Sequence, residues 1–319
     1  MRTAALLLVL LVAAPLTGCI GGGATDEPEP VDLLAEPPQW QVGDWWLYTF
    51  STPEWDDDSA RLVVTEVDAE TDTLFMLGIS SRREARRHAV LNHNPFLGRI
   101  THNMSVFENG EASPVLPFPL RTGGEWQFDL FDKEWNATVI SAAGGIATIR
   151  AEHYLGETLQ YTYDGVFGFI GSLRWATADD DELLGIRLVE SGVGHTGEVW
   201  FIRAGDLYSG DWEHASALPD VEVRDTFLVS GHPQNGDWDE MIYWLDARMG
   251  GGVSTSTLTL RDHLSLTALA RTWGPGAEEE GQLGTIPYPS GEYTFTLTQT
   301  GESHVRMIIA GGISTSWTL

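Results

Sequence analysis

The stretch WQVGDWWLYTF, Trp40 to Phe50, places three tryptophans, a tyrosine and a phenylalanine within eleven residues. It follows directly on an acidic, proline-rich segment, and it forms either an aromatic cage for a ligand or the opening strand of a folded domain. Alternate side chains of a strand share a face, so Trp46 and Tyr48 point one way while Trp45 and Leu47 point the other. Gly43-Asp44 ahead of them is turn chemistry that releases the chain into a strand. RTGGEWQFDLF, Arg121 to Phe131, echoes the pattern, with Trp126 and Phe128 on one face. The interval between the two is too long and irregular for a propeller blade or a solenoid, which makes them paired strand openings rather than a repeat.

The rest of the chain agrees. ARLVVTEVD, IATIRAEHY, TLQYTYDG and GIRLVESG alternate apolar and polar residues between Gly, Asp and Asn punctuation, the signature of antiparallel strands. Helical periodicity surfaces once, in SRREARRHAVLN. There Ser81 and Glu84 have capping-box spacing and Ala85, Ala89 and Val90 form a thin apolar stripe, but four arginines crowd the positive end of the helix dipole. The length suits two β domains, 40–205 and 221–319, with a polar linker at 206–220.

Upstream, Arg2 precedes an apolar run from Ala4 to Ala14 that is too short to span a bilayer, which needs about 20 residues, and has the form of a secretory h-region. Leu16-Thr17-Gly18-Cys19 then resembles a lipobox, so 1–19 reads as a lipoprotein signal with Cys19 as the lipid-attachment residue. Cys19 is the only cysteine, which excludes an internal disulfide and leaves thiol chemistry no second residue. Residues 20–39 are rich in Gly, Pro and acid and read as a solvated tether. The expected location is extracytoplasmic, at the outer face of the cytoplasmic membrane. The sequons at Asn103 and Asn136 are compatible with glycosylation there.

Lys plus Arg number 18 against 46 Asp plus Glu, a formal charge of −28, and Lys133 is the only lysine. That balance excludes nucleic acid as a partner. Molar salt shortens the Debye length to about 3 Å and screens such self-repulsion, so the composition points to a salt-adapted archaeon.

WQVGDWWLY, FPLRTGGEWQFDL, YTYDGVFGFIGSLRW and LGIRLVESG, taken in order, resemble the motifs of LolA/LolB-like lipoprotein carriers and the DUF3108/TapB-like families. The resemblance covers about Trp40 to Gly192. It implies an open antiparallel half-barrel whose concave face holds an apolar or lipid-like ligand, with Trp45, Tyr48, Trp126 and Phe128 as candidates for that face or the core, and Trp45, Trp46, Tyr48 and Trp126 as candidate ligand-binding residues. The long amphipathic helix of the carriers has no counterpart here. From Val221 to Leu319, VEVRDTFLVSG, STSTLTLRDHLSL and PSGEYTFTLTQTG resemble GOLD or pre-peptidase C-terminal modules, which implies a jelly-roll-like β-sandwich. The expected fold is therefore all-β, a half-barrel followed by a sandwich.

Arg82, Arg83, Arg86 and Arg87 are a candidate anion site, because guanidinium forks suit carboxylate or phosphate, although charge runs more often face water. His88, His93 and His102 have no standard metal-ligand spacing, and NGDWDE, with Asn235, Asp237, Asp239 and Glu240, resembles half a calcium loop but reads more simply as an acidic turn. No nucleophile elbow, phosphate loop, dinucleotide fingerprint or zinc helix is present. The expectation is a protein that is not an enzyme, with no cofactor and no metal. Its partners are the membrane through its anchor and an apolar or lipid-like small molecule, the alternatives being a structural or adhesive role toward a cell-surface protein, or glycan binding.

Overall fold

Alternation in the sequence becomes pairing on the backbone. The computed structural model describes residues 33–34, 36–53, 55–68, 74–91, 94–108, 111–202, 206–229, 240–286 and 290–319. Cys19, the signal segment, most of the tether, His93, Asn235, Asp237 and Asp239 lie outside the described residues.

The strands are β1 Leu33–Leu34, β2 Trp45–Ser51, β3 Asp58–Val67, β4 Leu74–Ile79, β5 Gly98–Thr101, β6 Val106–Glu108, β7 Glu111–Ser113, β8 Leu120–Arg121, β9 Glu125–Leu130, β10 Lys133–Ala143, β11 Ile146–Glu152 and β12 Thr158–Asp164. They continue as β13 Phe169–Ala176, β14 Glu182–Gly192, β15 Glu198–Ile202, β16 Asp206–His214, β17 Val221–Val229, β18 Glu240–Met249, β19 Thr255–Arg261, β20 Thr267–Trp273, β21 Glu278–Ile286, β22 Gly291–Thr300 and β23 Ser303–Thr318. One helix, α1, spans Arg82–Leu91 between β4 and β5.

Fifteen strands share one sheet, which runs β21-β18-β23-β15-β4-β3-β2-β14-β13-β12-β11-β10-β9, with β16 also on β23 and β5 also on β4. A four-stranded sheet, β17-β22-β19-β20, stands apart. The described pairings are antiparallel and no described sheet closes into a barrel, so the all-β expectation holds.

Two hydrophobic cores fill the fold. The first gathers residues of β2 to β14 with α1, including Trp135, Tyr48, Tyr161 and Phe169, all fully buried. The second lies between the four-stranded sheet and β18 with β23. β18 explains how both cores coexist within the compact unit Asp32–Leu319. Met241, Tyr243 and Leu245 enter the second core while Ile242 and Trp244 enter the first. A strand covered on both faces reads as a continuous apolar run, and MIYWL is that run. The segment expected to be a linker differs from that expectation over Asp206–His214, which is strand β16 paired with β23 through Trp212↔Val305 and Gly210↔Met307. Its polar residues face water on an outer edge, which made the sequence look like a spacer.

Several glycines serve aromatic rings. A Cβ at Gly192 would fall 2.6 Å from the Trp45 indole, and one at Gly284 2.4 Å from the Tyr243 ring across the strand pair. Rings laid over cross-strand glycines restore the packing that glycine lacks.

Candidate functional site

Three donors of the opening stretch converge on one hairpin. Trp46 Nε1 donates to Phe167 O at 2.8 Å, Trp40 Nε1 to Gly168 O at 2.9 Å, and Tyr48 Oη to Ile170 O at 2.8 Å. The Phe169 ring sits among them, 4.7 Å from Trp40, 4.9 Å from Trp46 and 5.9 Å from Tyr48, edge-on to each. Burial holds the Tyr48 phenol well above its usual pKa, so it serves as a hydrogen-bond donor. Trp46 and Tyr48 were candidates for an open ligand-binding face. Both are buried instead, because the alternation that gives them a common face turns that face onto β13; Tyr48 is wholly core, while an edge of Trp46 still borders the cleft described below.

The turn they clamp is tightly made. Asp164 Oδ1 accepts from the backbone N–H of Val166 at 2.8 Å and of Phe167 at 3.4 Å, and Gly168 closes the turn at φ +67°. Its carbonyls face inward to the indoles. Val166 and Phe167 project outward, 84% and 47% exposed. The neighbouring turn after β14, held by His195 N–H donating to Gly43 O at 2.9 Å, adds Val193. Across the hairpin runs the segment that leads in from β1: a Cβ at Gly168 would meet Pro38 Cβ at 3.4 Å, and one at Gly165 would meet Leu34 at 3.5 Å. The result is an open cleft of about 580 Å³ whose lining includes Pro37, Pro38, Trp46, Val166, Phe167 and Val193. Sequence reasoning missed this tip. The available signal was DGVFG, a turn whose central residues are apolar where turn residues are ordinarily polar.

Trp45 stands on the opposite face of β2, its ring between Gly192 and the Arg61 guanidinium, which lies 4.2 Å from the ring centroid. That is a packed cation–π arrangement. Trp126 is half-buried and stacks on Phe128, as the shared face requires. It borders a shallow groove of about 550 Å³ that Asn136 also lines. Asn136 is exposed and accepts from Gln127 Nε2 at 2.8 Å. Asn103 is exposed in the turn after β5, where its Oδ1 accepts from the Thr101 and Ser105 hydroxyls.

The arginine cluster forms the first turns of α1. Ser81 caps the helix through Glu84 N–H to Oγ at 3.4 Å, and Ala85 and Ala89 are fully buried. Arg82 and Arg86 both pair with the buried Glu240 carboxylate of β18, Arg86 Nη2 at 2.7 Å. Arg87 binds Asp58 at 2.9 Å and the Asp56 carbonyl at 2.8 Å. Arg83 is exposed. Three of the four guanidiniums therefore have carboxylates already, and the expectation of an anion site is corrected to a clasp that ties α1 to β3 and β18. Those carboxylates also offset the positive helix end, the obstacle to reading this helix from sequence. Glu240, expected in an acidic turn, is the centre of the clasp.

A second cleft of about 570 Å³ adjoins it, lined by Trp55, Trp244, Asp246, Glu280, Arg248 and Arg306 among others. The two indoles meet edge to face at 4.7 Å, and Arg306 lies over Trp244 at 5.5 Å. His88 of α1 is buried against Phe50, and His102 stacks on Phe75 at 4.2 Å. Among the described residues no group of three His, Cys, Asp or Glu is placed to hold a metal, and no helix is long and apolar enough to cross a membrane.

No family model matches the chain, and no curated protein matches it. Among solved structures, the MucA/MucB complex of Pseudomonas aeruginosa is 8% identical, with 81% of this chain and 88% of that one covered and a TM-score of 0.25. An exo-β-1,3-galactanase of Phanerochaete chrysosporium with bound β-1,3-galactotriose is 8% identical over 79% and 78%, with a TM-score of 0.18. A glycoside hydrolase family 43 arabinoxylan arabinofuranohydrolase from Bacillus subtilis is 9% identical over 81% and 64%, with a TM-score of 0.19. At these scores the likeness extends no further than a richness in β structure. The expectation that the chain is not an enzyme is nevertheless corrected, since glycoside hydrolases stand among the structures it is similar to.

Proposed function

We propose that the protein is an extracytoplasmic lipoprotein of a salt-adapted archaeon, tethered through lipid on Cys19, which binds an apolar or lipid-like molecule in the cleft beside Phe167. The observation that carries this reading is the cleft itself: about 580 Å³, open, with Pro37, Pro38, Trp46, Phe167 and Val193 in its lining beside the polar Glu36, Gln39, Asp44 and Ser191. The interior of the N-terminal sheet is filled by Trp135, Tyr161 and Phe169, so an apolar ligand has its place at this mouth rather than inside the sheet. Concave apolar pockets with few polar groups suit such ligands. Native mass spectrometry of the full chain purified at high salt tests it. The expected result is a lipid adduct on the peptide beginning at Cys19 and a separate, dissociable lipid-like mass that Phe167→Asp abolishes. An apo mass for the wild type would sink the ligand reading.

The cleft of Trp55 and Trp244 supports a second reading, a glycan site. Its lining sets acceptors (Asp56, Asp246, Glu280) against donors (Arg87, Arg248, Arg306) around two indoles, a balance that suits hydroxyl groups, which both donate and accept. Titration with soluble glycans, followed by tryptophan emission in wild type and Trp55→Phe, distinguishes it from the first.

A further inference from the structure

The aromatic clamp holds an apolar tip out into solvent. Val166 is 84% exposed, Val193 80% and Val42, on the turn bonded to that of Val193, 50%. Val166, Phe167 and Val193 line one cleft and Val42 lies on the adjoining turn, all on turns that would ordinarily be polar, and exposed apolar groups gathered in this way mark interaction surfaces. The clamp also removes the usual reason for such a tip, since the turn is fixed by Asp164, Trp46 and Trp40 and gains nothing from the outward side chains.

The path of the chain indicates what covers the rim. Leu34 of β1 lines the same cleft, so the described chain enters the fold beside it, where β1 pairs with β8 through Leu33↔Arg121 and Leu34↔Leu120. From Cys19 to Leu33 the chain can reach about 50 Å at most. On the anchored reading, a lipid on Cys19 keeps this entry point within that reach of the bilayer.

We propose that the rim of Val42, Val166, Phe167 and Val193 enters the interfacial layer of the membrane on which the anchor sits, which fixes the orientation of the folded unit. This rests on the anchored reading above and names the bilayer as the partner of the same cleft. Neither arginine nor lysine lines the cleft, while Glu36 and Asp44 do. The contact is therefore apolar insertion rather than attraction to anionic headgroups, and it persists in molar salt, where headgroup attraction is screened.

The test uses the full chain in phosphatidylcholine vesicles that contain a nitroxide-bearing lipid, in molar salt. Cys19 is the only native cysteine, and lipid on its sulfur leaves an introduced cysteine as the sole thiol for an environment-sensitive fluorophore. At Phe167→Cys and Val193→Cys the emission shifts to the blue and is largely lost to the lipid-borne quencher. At Leu264→Cys, an exposed apolar site on the C-terminal sandwich, it is unchanged. Vesicle-bound protein with unquenched probes at 167 and 193 overturns the rim contact and leaves the anchored reading standing. If mass analysis finds no lipid on Cys19, the anchored reading fails. The rim is then judged with the same probes in a Cys19→Ser background and added vesicles, where absence of quenching overturns it as well. A blue shift that needs no lipid and grows with protein concentration assigns the rim to a second copy of the chain and overturns the proposal.

Discussion

Trp46 Nε1 and Phe167 O, 121 residues apart in sequence, are joined by a hydrogen bond of 2.8 Å that fastens β2 to the turn between β12 and β13. With the bonds from Trp40 and Tyr48, it makes the aromatic cluster a structural clamp whose outward product is an exposed turn.

Removing one donor should loosen the turn without unfolding the sheet. Tyr48→Phe keeps the ring and leaves Ile170 O, in a fully buried setting, without its donor. An acceptor stranded in this way costs about 1–3 kcal/mol. Trp46→Phe loses ring area as well and should cost at least as much. Denaturant unfolding in molar salt measures both, and limited proteolysis should show faster cleavage near Phe167 in Trp46→Phe. Wild-type stability in Tyr48→Phe would show that the bond is not worth its burial.

The clasp gives an opposite dependence on salt from that of the acidic surface. Glu240→Gln strands Arg82 and Arg86, which are half and about two-fifths exposed at their side chains, so the loss should be about 1–2 kcal/mol rather than the value for a fully buried pair. Salt screens half-exposed charges, so the loss should shrink between low and molar salt even as the wild type itself grows more stable. Arg83→Gln, at an exposed position, is the neutral control. Equal losses for the two variants would show that Glu240 has no special place.

The strands were legible because period-two alternation is local: WWLYTF places Trp46, Tyr48 and Phe50 inward and leaves Trp45 and Leu47 half-buried, as it must. Ser81 and the alanine stripe were also legible as α1, and only a partner beyond reach of local reasoning, Glu240, removed the objection of four clustered arginines. Which face meets which partner was not legible. Tyr48 could have lined a cavity until Phe169, 121 residues further along the chain, was found against its ring, and Trp46 keeps only an edge on the cleft. The assignment of β16 as linker failed for a related reason: an edge strand with one wet face carries too few apolar residues to announce itself.

Gly192 should tolerate no side chain. It pairs with Trp45 across β14 and β2, and the indole occupies the volume a Cβ would need, at 2.6 Å. Gly192→Ala must push the ring off its seat beneath Arg61, an overpacking cost of about 1–3 kcal/mol. The cost should fall in the double variant Gly192→Ala with Trp45→Leu, because the displaced ring is gone. Additive losses in that pair would show that the two positions do not share the contact.

His214 gives the fold a pH dependence of predictable sign. Its Nδ1 lies 2.6 Å from Gly301 O and its Nε2 2.9 Å from Pro219 O. Both partners are carbonyl oxygens, which only accept, so both ring nitrogens must carry protons and the imidazolium is the form that satisfies the site. The two carbonyls, with Asp220 nearby, raise its pKa above the usual value despite burial. A pKa higher in the folded than in the unfolded state stabilises the fold fully below the unfolded value, about 6.5, and that contribution is lost as pH rises through the folded value. Thermal unfolding of the wild type in molar salt should therefore show stability declining as pH rises above about 6.5. In His214→Gln, which holds one of the two carbonyls at most and cannot titrate, stability should be lower at pH 6 and that decline should be absent. A His214→Gln variant that retains the wild-type slope would place the titrating group elsewhere.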